Sequence, residues 1–528
     1  MRDLQAPGRS PARSMSAMAA TSHPLSTMAA LDILRAGGNA MDAAICASAV
    51  QAVVEPQSTG IGGDCFALYC PAGSDEVIAF NGSGRAPKAA TVESYRALGL
   101  ESVPKLGAHS VTIPGAIDGW CQLLRDHGRL DLATVLAPAI HYAENGYVVH
   151  DRVAFDWKDV EADLAADPHS ARIFLPDGKA PSAGDIHRQP ELAETLRRIA
   201  EHGREGFYEG PVAEDMVNRL QELGGVHTLE DFAATKGDYV TPISAEYQGL
   251  RIHQVPPNNQ GLTALVMLNL MAQHDLKALD PTGVEKFHLE IETGRLAFRE
   301  RNNRISDPAA SAGVVEEMLS DAFTQQLSAE MDPSRAMDHL RDAELSMSDT
   351  VYISIVDEDR NAVSFINSTY YSFGSAVTAP KSGVVLQNRG HSFKLDPAHP
   401  NAIAPNKRPL HTIMPGMATK DGRAVMPFGV MGGDYQPFGH VHLLTNLLDH
   451  GMDVQEAIDC PRVFFENGAV VAETGVPEAS VQGLKDKGHK VIAAEAPHGG
   501  AQAIWIDWEQ GTLTGGSDPR KDGMALGY

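Results

Sequence analysis

From Val351 to Phe365 the chain carries the signature of a β-hairpin. Val351, Ile353 and Ile355 alternate with Tyr352, Ser354 and Val356, and residues 357–361 (DEDRN) turn the chain into a second strand. A hairpin beginning at Thr350, two-thirds of the way along 528 residues, needs sheet partners. The first third supplies them: residues 59–69 (TGIGGDCFALY) read as a glycine turn leading into a short apolar run, and residues 77–87 (VIAFNGSGRAP) as strand, then loop. Ahead of these, Leu25, Met28, Ala29, Leu31, Ile33 and Leu34 mark an amphipathic helix stopped by Gly37-Gly38, and Asn39 caps a second helix running to about Val54. Residues 110–310 read as mainly helical, with helices at 192–201, 213–223 and 283–301 and a loop at Pro256-Pro257-Asn258-Asn259; two more helices follow at 443–448 and 454–458. Two distant sheet-forming regions, each with its own helices, predict one layered α/β body of three or four layers instead of beads on a string.

Charge and composition narrow the function. The formal net charge is −25, which would repel nucleic acid and anionic membranes alike. With 43% hydrophobic residues the chain can build a large core. The apolar run at 43–54 is about half a membrane span, so it predicts a buried helix. Residues 1–26 lack an apolar leader, and Cys46, Cys65, Cys70, Cys121 and Cys460 lack C-x-x-C spacing. A cytoplasmic protein without disulfides or structural zinc is the expectation.

Common catalytic signatures are missing. GIGGDC at residues 60–65 lacks the acidic residue that completes a dinucleotide fingerprint, and there is no P-loop, H-E-x-x-H or G-x-S-x-G. His288 and Glu292 stand one helical turn apart without a third ligand, so they are expected to pair on a helix surface. Asn367-Ser368-Thr369 matches a glycosylation sequon by chance.

Eight blocks in order resemble the gamma-glutamyltranspeptidase family of N-terminal nucleophile hydrolases. They are SHPLSTMAALDILRAGGNAMDAA (22–44), VVEPQSTGIGG (53–63), GRAP (84–87), DTVYISIVD (349–357), FGSA (373–376), NKRPL (406–410), MGGD (431–434) and SDPRKDGMALGY (517–528). The resemblance implies an α+β fold, the αββα sandwich of two stacked antiparallel sheets flanked by helices, with extra helices from the large subunit. It also implies self-cleavage between Asp349 and Thr350, giving a large subunit of residues 1–349 and a small subunit of residues 350–528. Read alone, Thr350 would be an ordinary β-branched residue at a strand start. As a new N-terminus it gains an α-amine with a reference pKa of about 7.7–8.0, so one residue supplies both nucleophile and base.

The same resemblance assigns further roles. Ser368 stands where transpeptidases carry Thr and would hydrogen-bond the Thr350 amine. Gly432 and Gly433 would form the oxyanion hole, and Arg85 would grip the substrate carboxylate through a bidentate pair. Departures from the transpeptidase pattern bear on specificity. Arg389 and Ser392 occupy positions that otherwise hold the substrate ammonium, Tyr370 replaces an Asn, His411 and Thr412 replace two serines, and residues 394–406 are short for a lid loop. A second cation selects against amines. The pattern looks like the amidohydrolase branch that includes oxamate amidohydrolase. The expectation is therefore an autoprocessed threonine amidohydrolase that releases ammonia from a small anionic amide, with no cofactor or metal. Its partners would be the two subunits of one precursor, with no nucleic acid or membrane, and a dimer of the processed heterodimer is left open. The alternatives are gamma-glutamyl transfer or glutathione hydrolysis, or a glutaryl- or cephalosporin-type acylase.

Overall fold

The structure, a computed structural model, describes residues 8–337, Leu345 and residues 350–528. Two seven-stranded sheets form its centre. One runs in the order Ala12–Ser14, Thr512–Ser517, Gly500–Asp507, Arg423–Met431, Gly416–Lys420, Leu250–Gln254, Ile243–Tyr247. The other runs Met524–Gly527, Met18–Thr21, Val351–Val356, Ala362–Ser368, Asp64–Cys70, Ile78–Gly82, Asp238–Val240. All neighbours in both sheets pair antiparallel.

Period-two alternation sorts the hairpin's side chains into two cores. Tyr352, Val356, Ala362 and Ile366 fill the space between the sheets, where Met417, Ile504 and Leu513 meet them from the opposite sheet. Ile353, Ile355, Val363 and Phe365 face the other way, against the helices Pro24–Arg35 and Ala40–Val54. A third core packs Gly261–Met271, Val284–Arg304 and Tyr435–Leu448 on the outer face of the other sheet. The layers are therefore helix, sheet, sheet, helix. The sheets approach closely at Gly429, where a Cβ would sit 2.3 Å from the Tyr352 ring.

Local chemistry sets the ends of these elements. Asn39 accepts from the Met41 and Asp42 N–H groups while Asp42 accepts from Asn39 N at 2.7 Å, a complete capping box. Every residue of Ala40–Val54 is buried, as the apolar run predicts. Asp357 closes the hairpin by accepting from Asn361 N and Nδ2 at 2.9 and 2.8 Å. The same carboxylate accepts from Ala40 N at 2.9 Å, tying the helix to the turn. Among the described residues no helix is long and apolar enough to cross a membrane.

Three expectations change. The hairpin's second strand extends past Phe365 to Ser368. The stretch read as mainly helical contains five strands, two of them joined by Gln248-Gly249, whose φ angles of 48° and 77° suit a tight hairpin turn. Their short alternation, LRIHQ, was overshadowed by the long helical periods on either side. His288 and Glu292 are buried instead of on a surface: His288 Nδ1 meets His489 Nε2 at 2.8 Å, and Glu292 accepts from Arg295 at 2.7 Å and Met337 N at 2.7 Å.

Candidate active site

The hairpin register places Thr350 opposite Ser368. Val351 pairs with Asn367, so the next residue outward on each strand comes face to face, and Thr350 Oγ1 donates to Ser368 Oγ at 3.2 Å. Both side chains are fully buried. Ser368 Oγ also accepts from Tyr370 N at 2.8 Å. That contact requires a sharp bend, and Tyr370 takes a φ of 86°, a left-handed conformation costing a non-glycine residue roughly 1–2 kcal/mol. Asp349 lies outside the described residues.

The bend brings the Tyr370 ring under Arg389, whose guanidinium carbon is 3.8 Å from the ring centroid. Arg389 begins a short 3₁₀ turn and is fully buried. Its Nη1 donates to Thr412 Oγ1 at 2.8 Å, while its Nε and Nη2 have no hydrogen-bond partner among the described residues. No described carboxylate forms an ion pair with it. Burial pulls its pKa down to about 10, against the pull of Tyr370 and Asp64, so it remains a cation at neutral pH.

His411 is turned toward Asp64. Its Nε2 lies 3.0 Å from Asp64 Oδ2, and both side chains have no exposed surface. Asp64 Oδ1 accepts from Gly84 N, Gly115 N and Gln387 Nε2 at 2.9, 3.0 and 2.9 Å. Burial first, and then the Arg389 charge, push His411 down to about 3 despite Asp64. It is therefore a neutral imidazole donating to Asp64, and it holds its loop in place. Ser392 Oγ is tied to Arg389 O and Leu410 O at 3.0 and 2.9 Å.

Gly432 and Gly433 form the turn between strand Arg423–Met431 and helix Tyr435–Leu448. Their φ values of 121° and 61° need glycine, and a Cβ on Gly432 would lie 2.9 Å from Gly499 Cα. Backbone N–H groups at the start of a 14-residue helix favour a negative oxygen. Behind the turn, Gln260 Nε2 donates to Gly433 O at 3.0 Å and to Thr412 O, and its Oε1 accepts from Arg301 Nη1 at 2.6 Å. Arg301 also pairs with Asp434.

A cavity of about 610 Å³ opens on this cluster, lined by Arg301, Tyr370, Thr412 and Asp434 together with Lys394 and His399. Leu345, just upstream of Thr350 in the chain, lines it too. A second cavity of about 490 Å³ is bordered by Glu473 and Arg520, which already pair with each other at 2.7 Å.

The structure thus brings together Thr350, Ser368, Tyr370, Arg389, Thr412 and the Gly432-Gly433 turn, with His411 behind them. Arg85 stands apart. Its guanidinium donates to Asn406 O at 3.2 Å and to Asp238 at 3.3 Å, with Asp307 at 3.9 Å, and about a third of the side chain is exposed. Gln260, Arg301, Asp434 and Asp64 are polar members of the cluster that the sequence reading passed over. Gln260 directly follows the Pro256-Pro257-Asn258-Asn259 loop, the one signal that could have drawn attention to it.

A sequence profile described as gamma-glutamyltranspeptidase matches residues 26–528. The "Glutathione hydrolase-like YwrD proenzyme" of Bacillus subtilis (strain 168) is 40% identical over 521 residues, covering 97% of this chain and 98% of that one. The "Oxamate amidohydrolase proenzyme" of Klebsiella pneumoniae is 35% identical over 525 residues, with the same coverage. The crystal structure of a cephalosporin acylase from Bacillus halodurans superposes with a TM-score of 0.93 at 39% identity, covering 100% of this chain and 99% of that one.

Proposed function

Because the chain belongs to the gamma-glutamyltranspeptidase family of N-terminal nucleophile enzymes, we propose that it is a self-processing amidohydrolase acting on a small amide with a carboxylate close to the scissile carbonyl, oxamate being the simplest such substrate. Scission of the Asp349–Thr350 bond would divide the chain into residues 1–349 and 350–528. One observation carries the substrate reading: Arg389 is buried, and among the described residues no carboxylate pairs with it and two of its nitrogens have no hydrogen-bond partner. An isolated buried charge costs several kcal/mol, and a planar carboxylate meets the guanidinium fork bidentately. Arg389 reaches the nucleophile through Tyr370 and Ser368, so the anion it holds would lie close to the bond being broken.

The chemistry then runs on this chain's own groups. The Thr350 Oγ proton passes to its α-amine as Oγ bonds to the amide carbon. The carbonyl oxygen becomes an oxyanion facing the Gly432 and Gly433 N–H groups, where losing one donor typically costs about 3 kcal/mol. As the tetrahedral carbon collapses, the ammonium returns its proton to the departing nitrogen and ammonia leaves, with an ester on Thr350. Water then attacks that ester, giving its proton to the amine, and the proton returns to Oγ as the acid is released. Ser368 would orient the amine. Arg389 attracts the carboxylate and repels an α-ammonium, which favours oxamate-like acids over gamma-glutamyl donors. Arg85, held by Asp238 and Asp307, is assigned to the fold and not to the substrate.

The test is direct. Purified protein should give two pieces on a denaturing gel, the smaller beginning at Thr350, and should release ammonia from oxamate faster than from glutamine or glutathione. Thr350→Ala should stay in one piece and release none. An active intact chain, or faster turnover of a gamma-glutamyl anilide than of oxamate, would overturn the reading.

A further inference from the structure

We propose that Gln260 is a positioning residue that sets the spacing between the oxyanion turn and the loop supporting the substrate-binding arginine, with Arg301 fixing the orientation of its amide. The inference rests on the nucleophile and oxyanion assignments above, but not on the identity of the substrate. Gln260 is fully buried at the start of helix Gly261–Met271. Its Nε2 donates to two carbonyls on two different loops: Gly433 O in the oxyanion turn at 3.0 Å, and Thr412 O. Thr412 in turn receives Arg389 Nη1 on its hydroxyl at 2.8 Å. One amide therefore links the turn that would meet the carbonyl oxygen with the loop that steadies the carboxylate's cation. Its backbone joins the same loop, with Gln260 N donating to His411 O at 3.0 Å.

Only a side-chain amide meets these demands. The site asks for one acceptor toward Arg301 Nη1, at 2.6 Å, and two donors toward carbonyl oxygens. Glutamate offers acceptors alone, and lysine donors alone. The guanidinium can only donate, so Arg301 dictates which end of the amide faces it. The same Nη1 also reaches Asp434, the residue after Gly433, so two successive residues of the turn are tied to one cation, Gly433 through Gln260 and Asp434 directly. Arg301 and Asp434 are themselves buried. Gln260 and Arg301 lie before Thr350 in sequence, whereas Thr412, Gly433 and Asp434 lie after it, so the upstream part of the chain buttresses the catalytic turn of the downstream part.

Gln260→Glu keeps the shape and the acceptor toward Arg301 but sets an oxygen against two carbonyl oxygens. Burst acylation by p-nitrophenyl acetate reads the oxyanion turn whatever the natural amide is. It should slow by about 10–100-fold, the usual scale for a displaced catalytic group. With oxamate kcat should fall and KM should rise as well, because the loop that supports Arg389 faces the same misplaced oxygen through Thr412 O. Arg301→Lys keeps the charge beside Asp434 and should lose less. Combined with Gln260→Glu it should add little further loss, since both act through one amide. A purely structural role predicts a lowered melting temperature with the burst rate per processed site unchanged. A burst rate for Gln260→Glu within twofold of the parent, or multiplying losses in the double variant, would overturn the proposal. If Gln260→Glu fails to fold, the burst rate of Arg301→Lys decides, and an unchanged rate counts against it. Failure to hydrolyse oxamate would instead count against the substrate reading alone.

Discussion

Arg389 carries a charge that the described part of the fold leaves without a counterion. An arginine serving the fold should destabilise the protein when removed, but one held ready for an anion should not. Arg389→Met is therefore expected to keep or raise the melting temperature of the empty protein. It should also raise KM for oxamate by about 10–100-fold, the value of a charge-assisted pair. A calorimetric scan beside a kinetic titration checks both. Arg85 gives the opposite expectation: Arg85→Met should leave KM within about twofold, because its guanidinium is already engaged by Asp238, Asp307 and Asn406 O. The sequence could mark both arginines as candidates by motif. It could not separate them, because what distinguishes them is burial and pairing, and the groups that engage Arg85 are distant in the chain, Asp238 and Asn406 O among them. Gln260 and Arg301 escaped for the same reason: an arginine in the helical pattern of residues 284–304 reads as solvent-facing until the neighbour it buries against is known.

At the scale of elements, local rules went far. Strict alternation made the hairpin legible, and register alone then set Thr350 against Ser368. Asn39 announced the helix Ala40–Val54. The strands at 238–254 were less legible because short alternation between long helices carries little periodic signal. The far end of Ala40–Val54 supplies a pH test. Glu55 caps it and accepts from Ser22 Oγ and Gln51 Nε2 at 2.7 and 3.0 Å. Burial, outweighing those hydrogen bonds, lifts its carboxyl from 4.5 to about 7. Between those values the folded protein holds a proton that the unfolded chain has released, so stability falls as pH rises through that window. The upper bound is roughly 3 kcal/mol, at 1.36 kcal/mol per unit. Glu55→Gln should remove this slope, and the difference between variant and parent in denaturant midpoints at pH 5 and 8 checks it.

At the scale of the molecule, the point of proposed scission does not divide the architecture. Met18–Thr21 is paired on one side with Met524–Gly527 and on the other with Val351–Val356. In the opposite sheet Leu250–Gln254 pairs with Gly416–Lys420, and Ala12–Ser14 with Thr512–Ser517. Each piece thus contributes strands to both sheets. Processed protein is expected to elute from a sizing column as one species containing both pieces, which separate only in denaturant. Separate elution in native buffer would contradict this interleaving.

The buried guanidinium of Arg389, without a carboxylate partner among the described residues, also offers a way to find the physiological ligand without turnover. An empty protein that bears the expense of an uncompensated ion should tighten thermally when any well-shaped anion docks, by an amount that grows logarithmically with its concentration over its dissociation constant. A Thr350→Ala preparation, in which the proposed nucleophile is removed, melted against a library of organic acids, would rank candidates by thermal shift. The Arg389→Met counterpart, blind to the same compounds, would identify which shifts arise there.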